Sequence, residues 1–424
     1  MAMILAGGSG ERLSVLTEER SKPAVPFGGL YRVIDFTISN CVNSGIHHIA
    51  VLTQYRPRSL AEHILGSEQR WEQTAAAGRI RMLHPYLSRD GHGWYKGTAD
   101  AVFQNLSVVD EGKVDEVLIL AGDHVYLMDY NDILRYHRMK RAEVTVGLVE
   151  VPLEVASQFG LVTWDVSHSI TGFQEKPKDP ASTLASMGIY VFNKEILVEC
   201  LERDAAEEGS GHDFGRDIMP HILKEHKVVG YKFNDYWRDV GTVEAYWQAN
   251  MDLIVDLPPL NLYGLETKVF TFPRNPPPVK LGPHAQVSRS LICNGSIING
   301  RVVNSVISDR VFVEDDAVVA DSIVFSDTTI GKGALIHRSI IDKEVSVGQG
   351  CHIGFGEDYT PNSKEPEYLN SGITLVGKGS KIPDGERIGR NVRVGCLVDK
   401  GDFPSDFIPS GASVEKKKPR RHRV

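Results

Sequence analysis

A glycine-rich stretch near the start of this 424-residue chain has the composition of an anion-binding loop. The run LAGGSGERL places Gly7, Gly8 and Gly10 after an apolar segment, and Arg12 follows them. Glycines let backbone N–H groups close around an anion, and a guanidinium bonds phosphate oxygens through two N–H groups. Lys22 precedes a proline, which favours an extended loop and brings a second cation to the same place. These residues predict a phosphate site; the alternative is a tight turn without a ligand.

Two acidic residues far apart in the sequence could share a metal ion. Asp123 in LAGDHVY ends an apolar run typical of a central strand, and Asp239 lies in YWRDVGT. Ligands of parallel sheets bind at the carboxyl ends of strands, and Mg²⁺ commonly takes one or two carboxylates plus substrate phosphates. We expect the two carboxyl groups to lie within about 10 Å of each other around one Mg²⁺. The alternative is a separate capping or turn role for each aspartate.

Glu175 and Lys176 stand side by side in FQEKPKDP, at the end of a probable strand. A carboxylate that accepts sugar hydroxyls and an ammonium that holds a phosphate could together bind a sugar phosphate. Successive strand residues face opposite sides, but a prolyl turn directly after them can bring both side chains to one cleft. The alternative is a solvated ion pair at a turn.

Strand-like and helix-like segments alternate over the first 250 residues. AMILAG, IHHIAVLTQ, EVLILAGDH and AEVTVGLVEV are typical of strands, whereas RVIDFTISNCVNSG, GTADAVFQNLSVVDEG and MDYNDILRYHRMKRA have helical spacing. This alternation predicts an α/β domain over residues 1–258, with a mainly parallel, Rossmann-like sheet covered by helices.

The pattern changes after residue 258. A proline-rich linker over 259–280 is followed by a six-residue apolar period that predicts a hexapeptide β-helix over 281–424, rather than an irregular β-rich domain. Residues 355–373 lack the period and are expected to loop out. The periodic residues are Val306, Phe312, Val318, Val324, Ile330 and Ile336, then, after a shift of one residue, Ile341, Val347 and Ile353.

Composition excludes several classes of protein. The net charge of −8 argues against a nucleic-acid binder, and the five cysteines without a CxxC pair argue against a zinc site or a disulfide framework. With no signal peptide and no long apolar segment, we expect a cytoplasmic protein that does not enter a membrane. The basic tail EKKKPRRHRV is either solvated or an anion site.

Several longer strings resemble the sugar-nucleotide pyrophosphorylases, and within them the branch that makes ADP-glucose. The strings include LAGGSGERL, VLTQY, WYKGTADAV, AGDHVY, ASMGIYVF, HDFGRDIMP and YWRDVGTVEAYWQANMDL, and the similarity spans nearly the whole chain. The resemblance implies a nucleotidyltransferase domain followed by a left-handed hexapeptide β-helix, and a homotetramer. It also implies the reaction of ATP with glucose 1-phosphate to give ADP-glucose and pyrophosphate, for α-glucan biosynthesis.

The resemblance assigns roles residue by residue. Arg12, Lys22, Asp123, Lys176 and Asp239 would be catalytic, with Mg²⁺ on Asp123 and Asp239. Substrate and nucleotide contacts would come from Gly7, Gly8, Gly10, Gln54, Trp94, Tyr95, Gly160, Glu175, Lys176, Ser186, Asp213, Phe214 and Trp237.

Two departures from the family pattern leave alternatives open. The segment MLHPYLSRDGHGWY lacks the family's paired glutamines, so another base or sugar phosphate is a competing prediction. Glu19 replaces a lysine used by a sugar-bisphosphate activator, although Arg20 and Arg32 could serve another phosphorylated effector. A non-catalytic regulatory subunit and a hexapeptide acyltransferase using His337 or His352 are the other two alternatives.

Overall fold

The computed structural model describes residues 1–73, 80–85, 93–111, 113–264, 268–272 and 275–417. In the N-terminal region the strands are β1 (Ala2–Leu5), β2 (Pro26–Phe27), β3 (Tyr31–Arg32), β4 (Ile49–Leu52), β5 (Ile80–Leu83), β6 (Glu116–Ala121), β7 (His124–Tyr126), β8 (Val144–Glu150), β9 (Gly160–Trp164), β10 (Ile170–Glu175), β11 (Leu184–Asn193), β12 (Val228–Lys232) and β13 (Trp237–Asp239). The helices are α1 (Val33–Asn43), α2 (Pro57–Gln73), α3 (Thr98–Phe103), α4 (Leu106–Glu111), α5 (Tyr130–Lys140), α6 (Leu153–Ala156), α7 (Lys194–Ala206), α8 (Met219–Glu225) and α9 (Val243–Met251). Short 3₁₀ helices cover Glu11–Thr17 and Lys22–Ala24, and a π-helical turn covers Phe214–Ile218.

A nine-stranded sheet forms the centre of this domain, in the order β10-β9-β11-β6-β1-β4-β5, with β8 also beside β11 and β12 beside β8. Strands β6, β1, β4 and β5 are parallel, as are β8 and β12. Strand β11 runs antiparallel to both β6 and β8, so the predicted parallel sheet is parallel-rich but mixed. The α/β prediction is confirmed.

Apolar side chains cover both faces of the sheet. Neighbouring residues of β1 point to opposite faces: Ile4 belongs to a buried cluster with Ile34 of α1, and Met3 to a second cluster with Val102 of α3. The helix predicted over 97–112 is instead the two helices α3 and α4. Between them Asn105 donates a hydrogen bond to Ala101 O at 2.8 Å, and this kind of side-chain competition interrupts helices.

The C-terminal region is a triangular solenoid of short parallel strands in three sheets, the arrangement of a left-handed β-helix. Its strands are β14 (Lys280–Leu281), β15 (Gln286–Ser288), β16 (Leu291–Ile292), β17 (Ile297–Ile298), β18 (Arg301–Val303), β19 (Val306–Ile307), β20 (Phe312–Val313), β21 (Val318–Ala320), β22 (Ile323–Val324), β23 (Thr329–Ile330), β24 (Leu335–His337), β25 (Ser339–Ile341), β26 (Ser346–Val347), β27 (His352–Ile353), β28 (Thr374–Val376), β29 (Lys381–Ile382), β30 (Arg387–Ile388), β31 (Arg393–Val394), β32 (Phe407–Ile408) and β33 (Ser413–Val414), with a 3₁₀ turn at Lys400–Asp402.

Strand pairing corrects the predicted register of the first coils. The solenoid core contains Ile307, Val313 and Val319 rather than Val306, Phe312 and Val318. Adjacent strand residues face opposite sides, and each of these pairs is apolar at both positions, so the sequence period alone does not select the inward one. From Val324 to Ile353 the predicted inward residues do lie in the core.

One row of outward residues on the solenoid packs against the N-terminal domain. Val306, Ile323, Ile340 and Leu375 are stacked by strand pairing and are buried in one cluster with Tyr246 of α9. The first three are spaced by 17 residues, the length of one coil, so each coil presents an apolar residue at the same place. Residues 355–373 form the expected insertion, without regular secondary structure in the described chain.

Parts of the linker pack back onto the first domain. Phe270 N donates to Ser39 Oγ at 2.8 Å, and Asn43 Nδ2 donates to Lys268 O at 2.9 Å. Linker residues 265–267 and 273–274, tail residues 418–424 and residues 86–92, which are half of the segment MLHPYLSRDGHGWY, lie outside the described residues. Within the described chain, no helix is both long and apolar enough to cross a membrane.

Candidate active site

A cavity of about 830 Å³ opens at the carboxyl ends of the central strands. The glycine loop enters it directly after β1, and Asp123 follows β6, the parallel neighbour of β1. This is the position at which open α/β sheets bind ligands. The cavity is lined by Gly7, Gly8, Gly10, Arg12, Lys22, Gln54, Tyr95, Asp123, Gly160, Glu175, Lys176, Ser186, Asp213, Phe214 and Asp239 among others.

The glycine loop is shaped by close contacts at one glycine and open space at another. Gly10 has a φ of 69°, and a Cβ there would lie 3.0 Å from Thr17 Cγ2 and 3.1 Å from Lys22 Cβ. Thr17 Oγ1 donates to Gly10 O at 3.0 Å and fixes the turn. A Cβ on Gly8 would have no heavy atom within 4 Å. Gly8 therefore leaves its backbone accessible to a ligand in the cavity.

The two distant aspartates meet at one lysine. Lys22 Nζ donates to Asp123 Oδ2 at 2.9 Å and to Asp239 Oδ1 at 2.7 Å. Strands β7 and β13 pair antiparallel with Asp239 opposite His124, which carries Asp239 to the residue next to Asp123. The short β7–β13 ribbon is thus the element that joins positions 116 residues apart in sequence.

Neighbouring charges keep Lys22 and Asp123 ionised against the effect of burial. Burial disfavours the charged form of Lys22, but the attraction of Asp123 and Asp239 outweighs it, and the pKa of Lys22 is raised above its ordinary value. Burial likewise opposes ionisation of Asp123, yet the charge of Lys22 outweighs it and holds the pKa of Asp123 well below the usual range. Asp123 therefore keeps its negative charge at neutral pH.

The donor set beside Lys22 fits a divalent cation. Ligand atoms of Asp123, His124 and Asp239 all lie within 4.8 Å of one another. Arg12 approaches the same place, because a Cβ built on Gly241 would be 2.9 Å from Asp239 Oδ2 and 3.1 Å from Arg12 Nη2. Two carboxylates with an adjacent imidazole are suitable ligands for Mg²⁺ or Mn²⁺.

The same cavity is also lined by the predicted sugar-binding pair. Glu175 and Lys176 form an ion pair of 2.9 Å, and both line the cavity because Lys176 turns the chain at a φ of 46°. Two glycines make room for the carboxylate. A Cβ on Gly160 would lie 2.7 Å from Glu175 Oε2, and one on Gly215 would lie 2.6 Å from the same atom.

Three further predicted residues line the cavity, and in this structure their hydrogen bonds and ring contacts stabilise the cavity wall. Asp213 Oδ1 accepts from the backbone N–H groups of Gly215 and Arg216 at 3.0 Å, and Asp213 Oδ2 accepts from Thr98 Oγ1 at 3.0 Å. Phe214 stacks on Tyr190, with 5.8 Å between ring centroids. Ser186 Oγ donates to the Tyr190 hydroxyl at 3.2 Å.

The Gln54 side chain makes hydrogen bonds to both the backbone N–H and the backbone carbonyl of Tyr95. Its Oε1 accepts from Tyr95 N at 2.7 Å, and its Nε2 donates to Tyr95 O at 3.2 Å. The preceding Trp94 is 65% exposed and lies outside the cavity lining. Trp237 also lies behind the lining, with its ring 4.9 Å from that of His124.

The two predicted effector residues lie between the domains. Arg20 is 4% exposed, and its guanidinium donates to both carboxylate oxygens of Asp342 in the solenoid at 2.9 and 3.0 Å. Arg32 Nη1 donates to Ser59 O at 2.7 Å and to Ser59 Oγ at 2.9 Å. Neither arginine lines the large cavity, and their effector role stays a prediction.

The two solenoid histidines lie away from this site. His337 is within 3.3 Å of the Asp321 carboxylate, and the His352 ring packs edge-on near Phe355 at 6.4 Å. Neither is among the residues lining the large cavity.

Sequence reasoning missed several residues of the cavity, among them His124 and Tyr368. His124 directly follows Asp123, and its position after a strand end was a usable signal. Tyr368 lies in the solenoid insertion and lines the same cavity as the glycine loop. Its neighbour Leu369 is fully buried in one cluster with Leu13 and Leu16, which anchors Tyr368 at the cavity. An aperiodic insertion carries no sequence signal of that contact.

Comparison with known proteins agrees with this geometry. Residues 1–255 match the nucleotidyl transferase family model, and residues 279–376 match the model of the GlmU-like C-terminal hexapeptide. The glucose-1-phosphate adenylyltransferase of Thermomicrobium roseum is 49% identical over 414 residues, covering 97% of this chain and 96% of the relative. Those of Acetivibrio thermocellus and Thermotoga neapolitana are each 46% identical, covering 98% of this chain and 97% and 98% of the relative. The chain belongs to the nucleotidyl transferase family and groups, over nearly its whole length, with the glucose-1-phosphate adenylyltransferases.

Proposed function

We propose that the chain is a glucose-1-phosphate adenylyltransferase, which converts ATP and α-glucose 1-phosphate to ADP-glucose and pyrophosphate. The observation that carries the proposal is the convergence of Asp123 and Asp239 on Lys22 beside the glycine loop, with Glu175 and Lys176 in the same cavity. One end of the cavity suits a triphosphate and the other suits a sugar phosphate.

The reaction requires positioning and charge neutralisation rather than a protein nucleophile. A phosphate oxygen of glucose 1-phosphate bonds to the α-phosphorus of ATP, and the bond from that phosphorus to the bridging oxygen of the β-phosphate breaks. The Gly8 backbone and Arg12 would hold the triphosphate so that pyrophosphate leaves in line with the attack. Lys22 would divide its hydrogen bonds between the two aspartates and the oxygens of the departing pyrophosphate.

On the sugar side, Glu175 would accept hydrogen bonds from glucose hydroxyls, and Lys176 would turn from Glu175 to the sugar phosphate. The 58% exposure of the Lys176 side chain leaves it room to make this turn. Its charge then offsets repulsion between the attacking phosphate and the triphosphate. Gln54 lies beside the glycine loop, since a Cβ on Gly7 would be 3.2 Å from Gln54 Cβ, and it holds the Tyr95 backbone there.

Nucleotidyltransferases of this family use a divalent metal, and we propose Mg²⁺ held by Asp123 and Asp239. When bound there, Mg²⁺ neutralises charge on the phosphate oxygens. The Asp123 carboxylate is already ionised at neutral pH because its pKa is lowered, so no proton has to leave Asp123 before the metal binds.

We further propose that the solenoid mediates a homotetramer. Apolar side chains on its outer faces support this proposal, since Ile297 is 37% and Leu335 is 38% exposed in the single chain. Light scattering on the purified protein would measure the mass, and a monomer would contradict the proposal.

The activity test is pyrophosphate release from ATP and glucose 1-phosphate with Mg²⁺, compared with other nucleotides and other sugar phosphates. Asp123→Asn and Asp239→Asn should each lower kcat by about 10²-fold or more, by analogy with lost transition-state electrostatics. Asp235→Asn, a change at an exposed aspartate near β13, is the matched control. Faster turnover with another nucleotide or sugar phosphate would indicate a related pyrophosphorylase. No turnover with any substrate pair would favour a regulatory subunit.

A further inference from the structure

We infer that His124 supplies a third protein ligand, its Nε2 atom, to the divalent cation held by Asp123 and Asp239. The inference rests on the proposed function, because it concerns the cation of that reaction. It adds a nitrogen to a site otherwise composed of oxygens. The consequence is a preference for transition metals that can be measured directly.

The first step is the identity of the free ring nitrogen. His124 Nδ1 lies 3.1 Å from the backbone oxygen of Met187. A carbonyl oxygen can only accept, so the Nδ1 atom must carry the hydrogen. In the neutral ring Nε2 then has an unshared electron pair. A carbonyl that holds the outer ring nitrogen is also the usual support of a metal-binding histidine.

The second step is where that lone pair lies. Nε2 is 3.6 Å from Asp123 Oδ1 and 3.9 Å from Asp239 Oδ1. Trp237 packs against the imidazole ring with 4.9 Å between centroids and 64° between planes. The His124 side chain is only 14% exposed, so packing limits the positions that the ring can adopt. Nε2 is therefore held facing the two carboxylates.

The third step is that Lys22 and a cation can occupy the site together. Lys22 uses Oδ2 of Asp123, whereas the other oxygen of that carboxylate, Oδ1, is the one near His124. A cation between Asp123 Oδ1, Asp239 and His124 would leave the hydrogen bond from Lys22 to Asp123 intact. At Asp239 the oxygen near His124, Oδ1, is also the one to which Lys22 donates, so the cation competes with Lys22 only for that hydrogen bond.

The chemical consequence follows from ligand type. Mg²⁺ prefers oxygen ligands, whereas Mn²⁺ and Co²⁺ accept imidazole more readily. We expect His124→Gln to weaken Mn²⁺ binding about tenfold or more and Mg²⁺ binding by less than about threefold. Titration calorimetry on the full-length protein, with each metal alone, measures both changes without reliance on turnover.

Pulsed electron paramagnetic resonance of the Mn²⁺-bound protein tests the bond itself. The wild type should show coupling to a directly coordinated ¹⁴N nucleus, and His124→Gln should lose it. His284→Gln, at an exposed histidine of the solenoid, should keep it. The wild-type spectrum decides the question even if the His124 variant fails to fold.

The failures of the two proposals are distinguishable. Mn²⁺ binding that depends on Asp123 but shows no nitrogen coupling in the wild type would overturn the His124 inference and leave the proposed function standing. Mn²⁺ binding that is unchanged in Asp123→Asn, or absent from the wild type, would overturn both the metal site and the ligand role of His124. Equal weakening of Mg²⁺ and Mn²⁺ in His124→Gln would indicate only a structural role for the ring.

Discussion

The buried ion pair between Arg20 and Asp342 should be the strongest single link between the two domains. The two side chains are 5% and 1% exposed, and the contact is bidentate. Arg20 also lies two residues before Lys22, so this link fixes one end of a segment whose other end lines the catalytic cavity. The test is Asp342→Asn, which keeps an oxygen for the backbone N–H of Lys343 but removes the charge.

The expected cost follows from what the substitution leaves behind. Removing one partner of a buried ion pair typically costs 3–5 kcal/mol, because the remaining charge is uncompensated. Arg20 retains a longer contact of 3.4 Å to Leu16 O, which favours the lower end, about 3 kcal/mol. At about 1.4 kcal/mol for each factor of ten, that free energy corresponds to a roughly 100-fold increase in the equilibrium constant for local unfolding of residues 11–24.

Hydrogen exchange followed by mass spectrometry measures this opening segment by segment. Glu62→Gln is the control, because its ion pair with Arg58 is largely exposed and should be worth less than about 1 kcal/mol. The double variant Arg20→Met with Asp342→Leu should recover most of the loss. The reasoning would be refuted if Asp342→Asn changed the hydrogen-exchange rates of residues 11–24 by less than about threefold. It would also be refuted if the double variant were less stable than either single variant.

Three further changes test other parts of the structure. Gly160→Ala should raise the KM for glucose 1-phosphate about tenfold or more, because the new Cβ would lie 2.7 Å from Glu175 Oε2; Gly401→Ala, with open space around its Cβ, is the control, and an unchanged KM would count against a sugar-binding Glu175. Tyr368→Ala should raise the KM for ATP more than it lowers kcat, since Tyr368 lines the same cavity as the glycine loop and Arg12, whereas equal kinetics of variant and wild type would place its ring outside the substrate contacts. Burial, and then a nearby acid, raise the pKa of Glu386 from 4.5 to about 7, so the folded state retains a proton that the unfolded chain has lost, and stability falls as the pH rises through this window. Glu386→Gln should therefore stabilise the protein at pH 8 by ~1–2 kcal/mol and much less at pH 5, in denaturant unfolding; equal gains at both pH values would contradict the assigned titration.

Local pattern was enough for much of the fold and for part of the site. The strands that carry the glycine loop and Asp123 are short runs, apolar apart from Glu116, that end near a glycine, and both β1 and β6 form where those runs lie. Asp123 follows β6 by two residues and the three glycines follow β1 within five residues, so correct strands place them without further information. Asp239 comes close to Asp123 through the pairing of β7 with β13, and no local sequence pattern predicts that pairing.

What the sequence could not supply depends on contacts between distant parts of the chain. Val306 and Ile307 are both apolar, and only the catalytic domain packed outside the coil decides which one faces inward. Arg20 has the composition of a phosphate contact, but its partner Asp342 is 322 residues away. Tyr368 reaches the cavity because its neighbour Leu369 is buried in one cluster with Leu13 and Leu16 of the 3₁₀ helix Glu11–Thr17. The periodic sequence pattern of the solenoid does not encode this packing.

The 17-residue coils between Val306 and Ile340 make the solenoid a spacer that sets a position in the catalytic cleft. Each coil advances the stack by one strand spacing, about 4.8 Å. Deleting one whole coil before the insertion would keep the row from Val306 to Ile340 in register, yet move Tyr368 by one such step along the solenoid axis. The number of coils before residue 355 therefore sets where Tyr368 of the solenoid insertion meets the cavity of the N-terminal domain. Lengthening or shortening of the solenoid in the course of evolution would change substrate contacts while both cores stayed intact.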